Sequence, residues 1–255
     1  MESWAKHRAF GTRARTFQKV RSVSWNIRHG TDAAGEPRLE AQAALIQAQI
    51  PDIVLLQELD RFVDRSGGVD QLAVLAELTN LEHHAFGSNL DLGGGSYGCG
   101  ILSRWPVLSV KNYSVPQMQL PGELIAGADG RPHLPEPRGV LAVTLLAPQG
   151  TVLAVTTHAS MHPGERFHGA EMVLRLLGSH DGDWVFGADL NAEEDEVVDT
   201  YEPLGIDACA VAGDTLCTFP ATNVRIDRIW SRKPALGAIL VTDLSDHYMV
   251  TADSE

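Results

Sequence analysis

Short apolar runs separated by turn-forming residues recur along most of the chain. They are rich in valine, isoleucine and leucine, and this pattern predicts about ten β-strands. The predicted strands cover residues 20–27, 52–59, 99–103, 107–115, 139–147, 151–158, 183–190, 225–231, 236–242 and 247–252. The runs on either side of Pro148-Gln149-Gly150 predict a β-hairpin that turns at this tripeptide.

Apolar residues at helical spacing mark three further segments, residues 37–49, 70–80 and 164–178. Pro37 suits a first helical turn, Asp70 suits a helix N-cap, and Gly178 suits a helix end. Many strands with few helices are typical of two packed sheets with helices outside. The sequence therefore predicts one α/β (α+β) domain over residues 20–255, with two packed and mostly antiparallel sheets.

Two segments fit neither pattern. Residues 87–98 are rich in glycine and are expected to form a loop. Residues 116–137 hold five of the 13 prolines and are long for a loop in a compact domain. Loops of this length usually either contribute to a binding site or move, and the sequence leaves both possibilities open.

Charge is distributed unevenly along the chain, which has a formal net charge of −13. Residues 1–19 form a basic N-terminal tail, expected to be either a mobile end or an interaction arm. Between Leu176 and Val224 there is no lysine or arginine, but there are eleven acidic residues. A chain with this much negative charge repels nucleic acid. The charge therefore argues against a protein that moves along DNA. A nuclease with a locally basic groove stays possible.

Membrane and secretion signals are missing from the sequence. No apolar run approaches the roughly 20 residues that a membrane-spanning helix needs, and the first residues lack the apolar stretch of a secretory signal. The three cysteines, Cys99, Cys209 and Cys217, have no metal-ligand spacing and are expected to be reduced thiols. These features predict a cytoplasmic protein without a membrane span.

Polar residues interrupt the apolar runs close to predicted strand ends. They are Asn26, Glu58, His158, Asp189, Asn191, Asp227, Asp246 and His247. Any one of them alone is more often a turn former, a surface carboxylate or a hydrogen-bonded core residue. Because strand ends at one edge of a sheet lie close together, the whole set predicts a functional site.

The residue types in this set define a chemistry. Carboxylate and amide oxygens without a cysteine cluster suit Mg²⁺ or Mn²⁺ rather than structural zinc. Histidines can donate hydrogen bonds to phosphate oxygens, and a carboxylate can take the proton from an attacking water. Together these groups predict a metal-assisted phosphoester hydrolase.

Eight motifs in a fixed order support the same interpretation. They are "SWNIRHG", "PDIVLLQEL", "SYGCGILSRWPV", "EPRGVLAV", "VTTHAS", "GADLNA", "RIDRIW" and "SDHYMV". In this order and spacing they resemble the endonuclease/exonuclease/phosphatase superfamily, from about Val20 to Ala252. The resemblance implies a four-layer α/β/β/α sandwich and a divalent cation, Mg²⁺ or Mn²⁺, as cofactor.

The resemblance also implies which residues hold the metal and the attacking water. Asn26, Glu58 and Asp246 match the metal-site positions of the superfamily. Asp189 would orient and deprotonate the water, and Asn191 would hold the phosphate or a metal-bound water. Both are therefore also expected at the metal.

The remaining matched positions would contact the phosphate. His247 would touch the scissile phosphate, with Asp227 holding its imidazole in the working tautomer. His158 would supply a second contact. Tyr97 and Arg138 match positions that hydrogen-bond the phosphate, and a planar, permanently charged guanidinium suits that role.

The choice of substrate depends on the branch of the superfamily that the chain resembles. His158 separates it from abasic-site endonucleases, and the lack of a carboxylate just after Tyr97 separates it from secreted DNases. His162 lies where the chain departs from the common pattern, and it is expected to be a loop residue rather than a third phosphate contact. The favoured function is a phosphodiesterase or phosphatase acting on a small or lipid-linked phosphoester. The alternatives are a Mg²⁺-dependent DNA or RNA nuclease and a non-catalytic binding module on the same fold.

Overall fold

Two β-sheets form the centre of the computed structural model, which describes residues 19–118, 124–126 and 132–255. The strands are β1 (Val20–Asn26), β2 (Ile53–Arg61), β3 (His83–Leu92), β4 (Gly95–Ser103), β5 (Val107–Ser114), β6 (Ile125–Ala126), β7 (Pro132–His133), β8 (Gly139–Ala147), β9 (Gly150–His158), β10 (Asp183–Asp189), β11 (Asp227–Ser231), β12 (Ala235–Leu240) and β13 (Met249–Ser254). The α-helices are α1 (Leu39–Ala48), α2 (Gln71–Thr79), α3 (Pro163–Gly178), α4 (Glu194–Tyr201) and α5 (Ala208–Val211). Except for Lys19, the predicted basic tail lies outside the described residues, as does part of the segment 116–137.

The strands are arranged in two mixed sheets. The first has the order β12-β13-β1-β2-β4-β3, and the second has the order β11-β10-β9-β8-β5. β1 is parallel to β2 and β9 is parallel to β10, whereas the other neighbouring strands in the described sheets are antiparallel. The short strands β6 and β7 pair with each other. The predicted sheet composition is therefore confirmed.

Three buried apolar clusters separate four layers. Leu55 of β2 and Leu141 of β8 belong to the cluster between the two sheets. Leu72 of α2 packs in a second cluster with Trp25 of β1, so that α1 and α2 cover the first sheet. Val173 of α3 lies in a third cluster with residues of the second sheet and of α4. This helix–sheet–sheet–helix order confirms the four-layer α/β/β/α sandwich.

The three predicted helices correspond to α1, α2 and α3. The side chain of Asp70 caps α2 by accepting a hydrogen bond from the backbone N–H of Ala73 at 3.1 Å. The predicted hairpin is also present, since β8 and β9 pair antiparallel up to Ala147 and Gly150. None of the helices within the described ranges is long and apolar enough to cross a membrane.

The glycine-rich segment at residues 87–98 is the main correction to the predicted elements. It lies mostly in β3 and β4, and only Gly93 and Gly94, both with positive φ, form the turn between them. A Cβ added to Gly98 would lie only 1.9 Å from the carbonyl oxygen of Gly87. Glycine is therefore needed here for close approach of two strands, a requirement that composition alone does not distinguish from a loop.

Candidate active site

The first sheet brings polar residues of three neighbouring strands to one edge. Asn26 is the last residue of β1, and Asp246 and His247 lie just before β13, which runs antiparallel to β1. Glu58 lies at an irregularity of β2 and has a φ of 58°, an uncommon conformation for a residue with a Cβ. Its Oε1 accepts a hydrogen bond from Asn26 Nδ2 at 2.9 Å. The strand irregularity therefore places this carboxylate beside the end of β1.

The second sheet supplies a matching set. His158 ends β9 and Asp189 ends β10, and the two residues are paired in register across these parallel strands. Asp227 opens β11 directly opposite Asp189. Two residues beyond β10, the backbone N–H of Asn191 donates to Asp189 Oδ1 at 3.1 Å. Strand register thus gathers three of the predicted residues, and the turn after β10 adds Asn191.

Two contacts join the sets across the sandwich. Asn26 Nδ2 donates to Asp189 Oδ2 at 3.0 Å, and His247 Nδ1 lies 2.8 Å from Asp227 Oδ2. Each contact links a residue of the first sheet to one of the second. The site therefore forms where the open edges of the two sheets meet.

The pair of His247 and Asp227 is buried and strongly polarised. Burial by itself lowers the pKa of His247, but the nearby Asp227 and Asp189 carboxylates outweigh it and raise that pKa to about 10. The imidazole is consequently protonated at neutral pH, with Nε2 lying 3.8 Å from Asp189 Oδ2. The Phe219 ring packs against it at a centroid distance of 4.8 Å. A fixed cationic donor thus faces the Asp189 carboxylate.

His158 has the opposite environment. Its Nδ1 lies 2.9 Å from Arg138 Nη1, and because a guanidinium can only donate, Nδ1 is the acceptor. Burial, the Arg138 charge and the His247 charge hold the pKa of His158 well below its ordinary value. The neutral imidazole therefore carries its hydrogen on Nε2, which faces Asp189 Oδ2 at 3.4 Å, while the neighbouring Asn191 Nδ2 donates to the Ala159 carbonyl oxygen at 3.0 Å.

Two carboxylates of the site have raised pKa values. Burial and the neighbouring Asp246 raise the pKa of Glu58 to about 7, although Asn26 opposes this shift. Burial, and more weakly Asp227, raises the pKa of Asp189, whereas His247 and Asn26 lower it. Positive charge that enters the site would therefore stabilise the ionised forms of Glu58 and Asp189.

One cavity of about 480 Å³ exposes most of the predicted residues. Its lining includes Glu58, Tyr97, Arg138, His158, Asp189, Asn191, Asp246 and His247. Asn26 and Asp227 are 0% and 1% exposed and support lining residues through hydrogen bonds. His162 immediately precedes α3 and does not belong to the described lining.

The cavity also contains residues that sequence reasoning missed. They include Arg28, His29, Arg65, Leu134, Glu136 and Phe219. Arg28 and His29 stand two and three positions after the predicted site residue Asn26 in "SWNIRHG", which is a signal of proximity. Arg65 lies in a loop after β2, and no pattern in the sequence points to it. A neighbouring depression of about 630 Å³ shares Met161 and Asn191 with the cavity.

The chain is similar to known proteins over most of its length. The model of the Endonuclease/Exonuclease/phosphatase family matches residues 23–247. No curated protein matches the sequence. A solved endonuclease/exonuclease/phosphatase from Beutenbergia cavernae has a TM-score of 0.72 at 24% identity, over 92% of this chain and 71% of that one.

Two further solved structures have the same fold at a similar level of sequence identity. An endonuclease/exonuclease/phosphatase from Bacteroides vulgatus has a TM-score of 0.70 at 20% identity, over 93% of this chain and 99% of that one. A truncated TDP2 from Caenorhabditis elegans has a TM-score of 0.67 at 22% identity, over 92% of this chain and 97% of that one. These similarities establish the fold of the sandwich that carries the cavity.

Proposed function

Because the chain belongs to the endonuclease/exonuclease/phosphatase family, whose members hydrolyse phosphoester bonds, we propose that it is a divalent-metal-dependent hydrolase of a small or lipid-linked phosphoester. The observation that carries the proposal is the convergence of Asp189, His158 and His247 on one cavity, with Asp227 behind His247. A carboxylate that can accept a proton faces two imidazole donors, which suits in-line attack of water on phosphorus.

The donor set of the cavity fits Mg²⁺ or Mn²⁺. Glu58 and Asp246 both line the cavity, and burial together with the neighbouring Asp246 charge raises the pKa of Glu58 to about 7. We assign them as the protein ligands, since hard cations prefer carboxylate oxygens. The Asn26 amide connects these ligands to Asp189, because its Nδ2 donates to both Glu58 and Asp189. When bound, the cation would polarise a phosphoryl oxygen and offset its negative charge.

A second group of atoms also has metal-like spacing. One ligand atom each from Asp189, Asp227 and His247 lies within 4.8 Å of the others. We assign this group to proton transfer and phosphate binding, because the 2.8 Å contact between His247 and Asp227 already uses Nδ1. Asp227 then orients the imidazole, leaving Nε2 to face the substrate.

The side chains act on the substrate in complementary ways. Asp189 takes the proton of the attacking water. The protonated His247 and the Nε2–H of His158 donate to phosphoryl oxygens as negative charge develops there. Tyr97, whose pKa is raised by burial and by Glu58, keeps its hydroxyl proton for donation. Arg138 adds a permanent charge beside His158, and Asn191 supplies an amide for the phosphate or for a water.

The test of this proposal is a substrate panel with Mg²⁺ or Mn²⁺, and with EDTA in a parallel series. The panel contains a bis-aryl phosphate, an aryl monophosphate, plasmid DNA, an abasic oligonucleotide, sphingomyelin and inositol phosphates. We expect EDTA-sensitive hydrolysis of a small or lipid-linked phosphoester. Cleavage of plasmid alone, falling steeply with salt, would instead identify a nuclease. Cleavage of no substrate would favour a binding module.

Metal binding is expected to stabilise the protein in a pH-dependent way. A proton competes with the cation for Glu58, whose pKa is about 7, so the stabilisation should be larger at pH 8 than at pH 6. At pH 8 and a metal concentration about 100 times Kd, the thermal midpoint should rise by roughly 5 to 10 °C. Differential scanning fluorimetry measures this shift.

The matched variants for this prediction are Glu58→Gln and Asp243→Asn. Glu58→Gln should lose most of the metal-induced shift. Asp243 is exposed and lies three residues before Asp246 on the same loop, so Asp243→Asn should keep the shift. An unchanged shift in Glu58→Gln would remove Glu58 from the metal site.

A further inference from the structure

Two guanidinium groups in the cavity have no role in the hydrolysis described above. Arg28 and Arg65 both line it. Gln71 links the segments that carry them: its Nε2 donates to the His29 carbonyl oxygen at 2.7 Å, and its Oε1 accepts from the backbone N–H of Asp60, the partner of Arg65, at 2.9 Å. His29 Nδ1 in turn lies 4.0 Å from Glu58 Oε2. A pair of cationic groups therefore lies beside the proposed reaction centre, near the Glu58 end.

Arg65 is held in a fixed orientation. Its Nε and Nη2 each donate to a carboxylate oxygen of Asp60 at 2.8 Å, and the side chain of Asp60 is fully buried. The guanidinium also lies over the Tyr97 ring, 5.4 Å from its centroid. The Arg65 side chain is nevertheless 42% exposed, and its Nη1 has no hydrogen-bond partner among the described residues. This nitrogen is a preoriented donor that faces solvent or a ligand.

The backbone at Arg28 is strained. Arg28, His29 and Gly30 have φ values of 46°, 45° and 79°, so two residues with a Cβ adopt the left-handed conformation in succession. Hydrogen bonds from Gln71 Nε2 to the His29 carbonyl at 2.7 Å and from the Arg38 N–H to the Gly30 carbonyl at 2.8 Å hold the turn. Strain of this kind concentrates at functional sites. Here it directs two side chains into the cavity wall.

The Arg28 guanidinium resembles that of Arg65 in its bonding. Its Nε lies 3.3 Å from Asp246 Oδ2, and its Nη1 donates to the Asp32 carbonyl oxygen. Its Nη2 has no partner within the described part of the chain. Both guanidinium groups are thus anchored on one side by protein oxygens and present a remaining NH₂ group on the other.

We propose that Arg28 and Arg65 form a second anion-binding subsite, which selects substrates with an additional phosphate group next to the scissile phosphoester. The inference rests on the proposed hydrolytic function and specifies its substrate class. Planar guanidinium groups with fixed donors match phosphate oxygens in both charge and geometry. The net charge of −13 disfavours a polyanionic nucleic acid, which leaves the small or lipid-linked esters of the proposed function. Among these, the subsite favours an ester that carries a second phosphate.

Carboxylates also line the cavity and offset the positive charge of its arginines. Three arginines line it, against the carboxylates of Glu58, Glu136, Asp189 and Asp246. Selection of the second phosphate therefore depends on directed donors at Arg28 and Arg65, rather than on a positive potential over the whole cavity. Removal of one of these two guanidinium groups should consequently abolish most of the preference for substrates with a second phosphate.

The test compares thymidine 3′,5′-bisphosphate with thymidine 5′-monophosphate by calorimetric titration in Mg²⁺. The wild-type protein should bind the bisphosphate at least about tenfold more tightly, as expected for one added charge-assisted contact. Arg65→Gln should reduce this preference to near one. Arg61→Gln is the matched control, because Arg61 is similarly exposed and pairs with Asp70 at 2.8 Å but does not belong to the described lining. It should keep the full preference.

Two further measurements keep the outcome interpretable. Arg65→Gln leaves the buried Asp60 without its partner, so thermal midpoints are recorded and Arg65→Lys is included, which keeps the charge but loses the fork. Hydrolysis of thymidine 5′-(4-nitrophenyl phosphate), with and without a 3′-phosphate, tests the proposed function separately. Equal binding of the two nucleotides by the wild-type protein would overturn the subsite. Selective binding without hydrolysis of either ester would support the subsite and would exclude these nucleotide esters as substrates, so that the hydrolytic function is decided by the substrate panel.

Discussion

Replacing Asp189 by asparagine is expected to lower kcat/KM for phosphoester hydrolysis by about 10³-fold, as removal of a general base does. Asparagine has nearly the same shape and can still accept the hydrogen bond that the Asn191 N–H makes to Asp189 Oδ1. It cannot take a proton from water. Steady-state kinetics on the best substrate of the panel, at saturating Mg²⁺ or Mn²⁺, measures the loss.

The fold of this variant should remain intact. Asparagine relieves the cost of burying the Asp189 charge but turns Oδ2, which accepts from Asn26 Nδ2, into a donor, so the thermal midpoint of the metal-free protein should fall only slightly. Asp183→Asn is the matched control, because Asp183 opens the same strand, is 30% exposed and pairs with Lys233 at 2.7 Å. It should retain wild-type activity. Activity within tenfold of wild type in Asp189→Asn would exclude Asp189 as the base.

Replacing His247 by alanine should cost about 10²- to 10³-fold in kcat, the usual effect of losing one donor to a developing negative charge. Asp227→Asn should cost less, because the imidazole remains but loses the carboxylate that orients and charges it. His168→Ala is the matched control, since His168 lies 3.4 Å from Glu171 in an exposed pair on α3. Its activity should equal that of wild type. A kcat for His247→Ala close to wild type would remove His247 from phosphate binding.

His247 also has a pH signature that does not depend on activity. Its folded-state pKa of about 10 lies above the value of about 6.5 expected in the unfolded chain. The resulting stabilisation is complete below about pH 6.5 and is lost as the pH rises through about 10. Urea unfolding at pH 7 and pH 10 should therefore show a larger loss of stability for wild type than for His247→Ala. Equal losses would contradict the protonated imidazole.

Much of the fold could be predicted from the sequence, because buried strands require runs of apolar residues. The segment that ends in "GADLN" predicts both a buried strand and a polar terminus, and β10 indeed ends at Asp189. The helix cap at Asp70 could also be identified locally. Motif order along the chain indicated the family, which the match over residues 23–247 confirms.

The remaining features depend on tertiary structure. The link from Asn26 to Asp189 follows from the way the two sheets stack, and no local pattern encodes that distance. The pairing of Arg138 with His158, which keeps this imidazole neutral, likewise needs the register of β8 and β9. Arg65 lies in a loop without periodicity, so its position in the cavity wall could not be read from the sequence.

The central claim is that a water molecule attacks phosphorus in this cavity, and an isotope experiment tests it most directly. The wild-type protein is allowed to hydrolyse its best phosphoester in H₂¹⁸O with Mg²⁺ or Mn²⁺, and both products are analysed by mass spectrometry. The account predicts one ¹⁸O atom in the phosphate-containing product, none in the alcohol, and no product when EDTA is present. Label in the alcohol, or hydrolysis that continues unchanged in EDTA, would contradict it.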